Sequence, residues 1–156
     1  MKPYGLATFC DDIRREHDGK ITIVGSFHNE ISVPTVPTII PQLGIVCHFI
    51  IPSEPKRRKI PLFIEFGDSQ IDGTGEVILP EDDHLPEEMT MRHVTTNAMF
   101  TPFEIDQEGV LTVKAVLEDK PVIIGQLHIC SEQSLIRRTK PKKKPAAKKK
   151  VTKGKK

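Results

Sequence analysis

"GVLTVKAVLEDKPVIIGQLHIC", residues 109–130, is the stretch whose reading decides the fold. Leu111, Val113, Ala115 and Leu117 alternate with Thr112, Lys114 and Glu118, the period of two that puts one face of a strand on a core and the other in water. "EDKP" interrupts the pattern and a second apolar run, Val122 to Cys130, follows it. Two such runs around a short polar break predict an antiparallel hairpin.

The same period recurs upstream. Leu43, Ile45, Cys47, Phe49 and Ile51 share one face of "LGIVCHFII", with Val46, His48 and Ile50 on the other, which predicts a largely buried strand. "PLFIEFG" alternates Leu62, Ile64 and Phe66 against Phe63 and Glu65, and "EVILP" and Met91 to Phe100 predict further strands. Ile21 to Phe27 forms another, fed by a turn at Asp18-Gly19, and "GLATFCDDIRRE" is either its hairpin partner or, with Asp11 or Asp12 as a cap, a short helix over Asp11 to His17. Pro34, Pro37 and Pro41 keep "VPTVPTIIPQ" out of any helix and make it an extended edge or loop. Short strands separated by turn signals, with no helical periodicity between them, predict an all-β fold: a single antiparallel β-sandwich, Ig-like or C2-like, over residues 1–132.

The pattern "FCDDIRREHDGKITIVGSF", then "VPTVPTIIPQLGIVCHF" and "FTPFEIDQEGVLTVKAVLEDKPVIIGQLHI", resembles an uncharacterised family of small bacterial β-sandwich proteins, over roughly residues 4 to 131. The resemblance implies a fold and a bacterial setting. It implies no activity and contributes no site residues.

Charge divides the 156 residues sharply. Of the 23 Lys and Arg, 12 fall between Arg137 and Lys156, where there is no acidic residue; the other 11 share the body with all 21 Asp and Glu. The body is thus about −10 and the tail about +12 by formal charge. Residues 133–156 are expected to be a disordered Lys-rich tail, since Lys, Pro and Ala with one bulky apolar residue, Val151, cannot offset the roughly 1–2 kcal/mol of backbone entropy per ordered residue.

Catalytic and metal motifs are sparse. His128 and Cys130 project to one face of a strand and could meet Cys47 from another as soft zinc ligands, but no CxxC or HxxxH pair supports them, and a buried reduced Cys is a common core residue. Asp68, Gln70, Asp72 and Gly73 occupy positions one, three, five and six of a calcium-loop pattern whose twelfth position is Leu79 rather than Glu, so a Gly-rich turn is the simpler reading. Asp11, Asp12 or "EDDH" could add oxygen ligands, with nothing to bring them together. Cys10 lies beside carboxylates that raise a thiol's pKa. His17, His28, His48, His84 and His93 are dispersed, and nucleophile-elbow and phosphate-loop patterns are absent. No enzyme activity, metal or cofactor is expected.

The candidate site is the tail. Arg137, Arg138, Lys140, Lys142, Lys143, Lys144, Lys148, Lys149, Lys150, Lys153, Lys155 and Lys156 suit a dense polyanion, because each phosphate neutralised releases condensed counterions. Their Pro-Lys and Ala-Lys blocks resemble the tails of linker histones and of histone-like bacterial proteins. With no aromatic residue to stack on bases, binding to DNA or RNA is expected to be non-specific. An acidic partner protein or the chain's own acidic body is the alternative target; a solubilising tail and, in a eukaryote, a nuclear-import signal are rival readings. Anionic membranes attract such a tail, but it lacks the large apolar residues that insert, and no stretch is long enough to span a bilayer. An odd number of cysteines, three, and no secretory leader predict a cytoplasmic protein, with association to a bacterial nucleoid as the setting the tail would suit.

Overall fold

The computed structural model describes residues 2–54, 58–67, 69–71, 75–79, 86 and 88–139. Among these described residues twelve strands follow one another: β1 (Tyr4–Arg15), β2 (Ile21–Phe27), β3 (Glu30–Val33), β4 (Thr38–Ile40), β5 (Leu43–Pro52) and β6 (Arg58–Phe66). After them come β7 (Ser69–Gln70), β8 (Gly75–Leu79), β9 (Met91–Phe100), β10 (Phe103–Ile105), β11 (Gly109–Leu117) and β12 (Lys120–Ser131), and helix α1 (Glu132–Thr139) closes the described chain. No helix among the described residues is long and apolar enough to cross a membrane.

One sheet is antiparallel and four-stranded, in the order β2-β1-β5-β9. A six-stranded sheet runs β3-β12-β11-β6-β7, with β8 also on β6, and β10 pairs β4 in a small ribbon. The expectation of a wholly antiparallel architecture is corrected at one edge: β3 runs parallel to β12, His128 opposite Glu30 and Ser131 opposite Val33. Parallel neighbours cannot be joined by a tight turn, and here most of the chain intervenes between them.

The β11–β12 hairpin forms as its sequence predicts. Its two-residue turn is Glu118-Asp119, both at positive φ (50° and 61°), the conformation whose twist matches that of the flanking strands. Ile124 is an extra residue: Val113 faces Gly125 and Lys114 faces Ile123, so the strand bulges between them. The bulge turns Ile124 inward, where it is 4% exposed.

Leu43, Ile45, Cys47, Phe49 and Ile51, one face of β5, are all buried. They meet Leu111, Val113, Leu127 and Ile129 from the six-stranded sheet in a single apolar cluster. Burying each large side chain contributes about 1.5–3 kcal/mol, which makes this shared core the main source of stability. β12 comes against β1 because position 125 is glycine: a Cβ there would lie 2.6 Å from the Ala7 Cβ.

β1 continues as a strand through Arg15, so the hairpin reading of "GLATFCDDIRRE" holds and the helical alternative does not. The hairpin tip leans over the outer face of its own sheet, where Arg15, Glu16, Gly19, Lys20 and Ile21 line a cleft of about 660 Å³ with Thr95 and Asn97 of β9. Ile13 reaches to within 3.0 Å of where a Gly44 Cβ would stand. The Cys10 sulfur meets the same position, and both Cys10 and Val46 are fully buried without belonging to the core cluster.

Candidate functional site

On β12, Leu127 and Ile129 enter the core, which turns His128 and Cys130 to the opposite face. The parallel register then sets Glu30 beside His128, and the His128 N–H donates to the Asn29 carbonyl (2.9 Å) to hold the strands in place. His128 Nδ1 lies 3.2 Å from Glu30 Oε2, and the Cys130 thiol donates to the Ile31 carbonyl at 3.8 Å. One ligand-type atom from each of Glu30, His128 and Cys130 falls within a 4.8 Å group. Cys130 is completely buried, whereas Glu30 is exposed and His128 half-buried.

Sequence spacing thus finds two members of this group and misidentifies the third. Cys47 points into the core from β5 in the other sheet, where burial pushes its thiol up to about 12. Glu30 could be found only by knowing that β3 joins β12, 98 residues away. Nothing in the strand pattern announces a parallel pairing of that kind.

Helix α1 begins directly after Cys130 and Ser131. The Ser131 Oγ accepts from the Ser134 N–H at 3.3 Å, the arrangement of an N-cap. Glu108 braces it from the position just before β11: its Oε1 accepts from the Ser131 N–H (3.1 Å), the Ser131 hydroxyl and the Ser134 hydroxyl (2.7 Å). A carboxylate at this end also faces the positive pole of the helix. The helix packs on β12 and β3, next to the Glu30–His128–Cys130 group.

Arg137 and Arg138, the first two basic residues of the sequence-predicted site, have helical backbone in α1. Lys140, Lys142, Lys143, Lys144, Lys148, Lys149, Lys150, Lys153, Lys155 and Lys156 lie outside the described residues. So do Asp68, Asp72 and Gly73 of the calcium-loop pattern and the "EDDH" segment. Leu79, at that pattern's twelfth position, is a buried strand residue, and Ser69–Gln70 forms β7. Asp12 is occupied locally, accepting from the Ile13 N–H and pairing with Arg14 at 3.2 Å.

A second histidine group stands on the outer face of the four-stranded sheet. His48 Nδ1 is 3.2 Å from His93 Nε2 and 3.2 Å from Thr95 Oγ1, and the rings are 5.3 Å apart. Partial burial, and then the neighbouring His93, hold the His48 pKa below its ordinary value. Cys10 behaves as its neighbours suggest, its pKa raised first by burial and then by Asp11 and Asp12. All three cysteines are buried thiols outside any disulfide, which suits none of them for nucleophilic attack. Elsewhere Phe66, Ile71, Phe100 and Phe103, with Glu104, Asp106 and Gln107, line a cleft of about 510 Å³ beside the β4–β10 ribbon.

The model of a family of unknown function, DUF6941, matches residues 5–129. The chain belongs to this family. No curated protein matches it. The DUF6941 match spans the strands from β1 almost to the end of β12 and takes in Glu30 and His128. It stops short of Cys130, of α1 and of the basic segment.

Proposed function

We propose that this chain is a non-enzymatic binding module: an Ig-like or C2-like β-sandwich carrying a C-terminal basic segment that binds DNA or RNA without sequence preference. The observation that carries the reading is the charge division, 12 basic and no acidic residues from Arg137 to Lys156 behind a body that holds all 21 acids. Cations at this density exchange readily with the counterions of a phosphate backbone. The segment has no aromatic side chain with which to discriminate bases. A cytoplasmic, nucleoid-associated bacterial protein is the setting that agrees with this reading.

Fluorescence anisotropy with several unrelated duplexes and with single-stranded RNA tests it. Similar affinities at matched salt are expected, whereas strong preference for one sequence would contradict it. The acidity of the body favours one alternative, in which the basic segment docks an acidic partner or the body itself. That alternative requires body amide chemical shifts to change between low and high salt in the full chain and not in a chain lacking the segment.

A further inference from the structure

We infer that Glu30, His128 and Cys130 form a binding site for a divalent transition metal of zinc's class, set between β3 and β12 at the root of α1. Three observations converge. The donors are an imidazole nitrogen, a thiol sulfur and a carboxylate oxygen, the set zinc takes and calcium or magnesium does not. Their atoms lie within 4.8 Å of one another, and the His128 Nδ1 to Glu30 Oε2 distance is 3.2 Å. Around tetrahedral zinc, bonds of about 2.0–2.3 Å put ligand atoms roughly 3.3–3.8 Å apart, so side-chain rotation suffices to close the set.

The backbone holds the ligands in that relation. Glu30 and His128 are register partners, and Cys130 sits two residues further along the same face of β12. A β-ladder fixes neighbouring strands about 4.8 Å apart, and the Asn29–His128 backbone bond fixes their register here. Cys130 is sealed at the inner end while Glu30 and His128 reach solvent, with side-chain exposures of 40% and 26%. Metal therefore enters from the His–Glu side.

Binding is chemically balanced. The Cys130 thiol gives its proton to water as the sulfur–metal bond forms, and thiolate and carboxylate together neutralise the dication. Three protein ligands and a water complete four-coordination. The metal would clamp β3, the edge strand of its sheet, to β12 one residue before the Ser131 cap of α1.

The test uses the full chain, stripped with chelator and titrated with Co²⁺ and then Zn²⁺. One equivalent of Co²⁺ should produce a sulfur-to-cobalt charge-transfer band that Zn²⁺ displaces, and zinc should raise the melting temperature. Because replacing fully buried Cys130 can unsettle the fold, the exposed Glu30→Gln is the deciding variant. Losing a residue that merely orients a ligand costs roughly 10–100-fold in affinity, so loss of a ligand should weaken binding by at least that much, with the metal-free melting temperature unchanged. Cys130→Ser should abolish the charge-transfer band. His48→Gln should leave both readouts intact. Absence of the band at stoichiometric metal would overturn the proposal, as would affinity that survives in Glu30→Gln or falls only in His48→Gln.

Discussion

The β11–β12 hairpin and the basic segment that starts at Arg137 are separated by the first turns of one short helix, yet their sequences instruct the chain in opposite ways. In the hairpin, Leu111, Val113, Ala115, Leu127 and Ile129 are all buried by a strict two-residue period, interrupted by one bulge at Ile124. In the basic segment there is charge without period: 12 cations, no acid and one bulky apolar side chain. Pattern specifies a structure, because a slip of one residue would turn a whole face inside out. Charge density specifies an affinity that tolerates many arrangements, because phosphates are neutralised one at a time. The two regions should therefore fail independently.

Deep in the hairpin, Leu127→Ala should cost about 2–5 kcal/mol, measured by urea unfolding. At temperatures where the variant stays folded its affinity for duplex DNA should be unchanged, and a parallel loss would break the independence of the two regions.

At the junction, Glu108→Ala should cost about 1–3 kcal/mol, because it strips the buried Ser131 N–H of its acceptor. Hydrogen exchange should quicken specifically in α1 amides. Uniform quickening across the sheets would mean that Glu108 braces the body rather than the helix.

The smallest effect concerns pH. The His48 pKa is depressed in the folded protein by burial and by His93, so the unfolded chain binds the proton more readily. This contribution is complete above the ordinary imidazole value of 6.5 and is lost as pH falls through the lower folded value. His48→Gln should flatten part of the acid-side decline in melting temperature, and an unchanged profile would refute the assignment.

How much of this was legible in the sequence depends on whether the deciding contact is local. The alternating faces of β5, the β1–β2 hairpin around Gly19 and the β11–β12 hairpin broken at "EDKP" are all written in adjacent residues and form as read, the break narrowing to a two-residue turn at Glu118-Asp119. The parallel β3–β12 edge is decided by partners 98 residues apart, and with it the third member of the metal-ligating group was missed. Cys10 and Val46 lie off the core cluster yet are fully buried, and the packing of Cys10 with Ile13 over Gly44 is a tertiary contact that no local pattern announces. The helix after β12 did carry a local signal, Ser131 three residues before Ser134 with Leu135 and Ile136 following, but it is short enough for the surrounding polar residues to obscure. The basic segment was the most conspicuous feature of the sequence because charge, unlike tertiary contact, can be counted along the chain.

The most direct test of the central claim is duplex-DNA binding across a salt series, comparing the full chain with one ending at Thr139. That end point keeps α1 whole and removes 10 of the 12 terminal cations. If roughly six to eight phosphates are contacted, log K for the full chain should fall with log salt at a slope of about −5 to −7, and the shortened chain should lose nearly all affinity and nearly all slope. Retention of affinity and slope by the shortened chain would contradict the account and transfer the binding surface to the strand-built body.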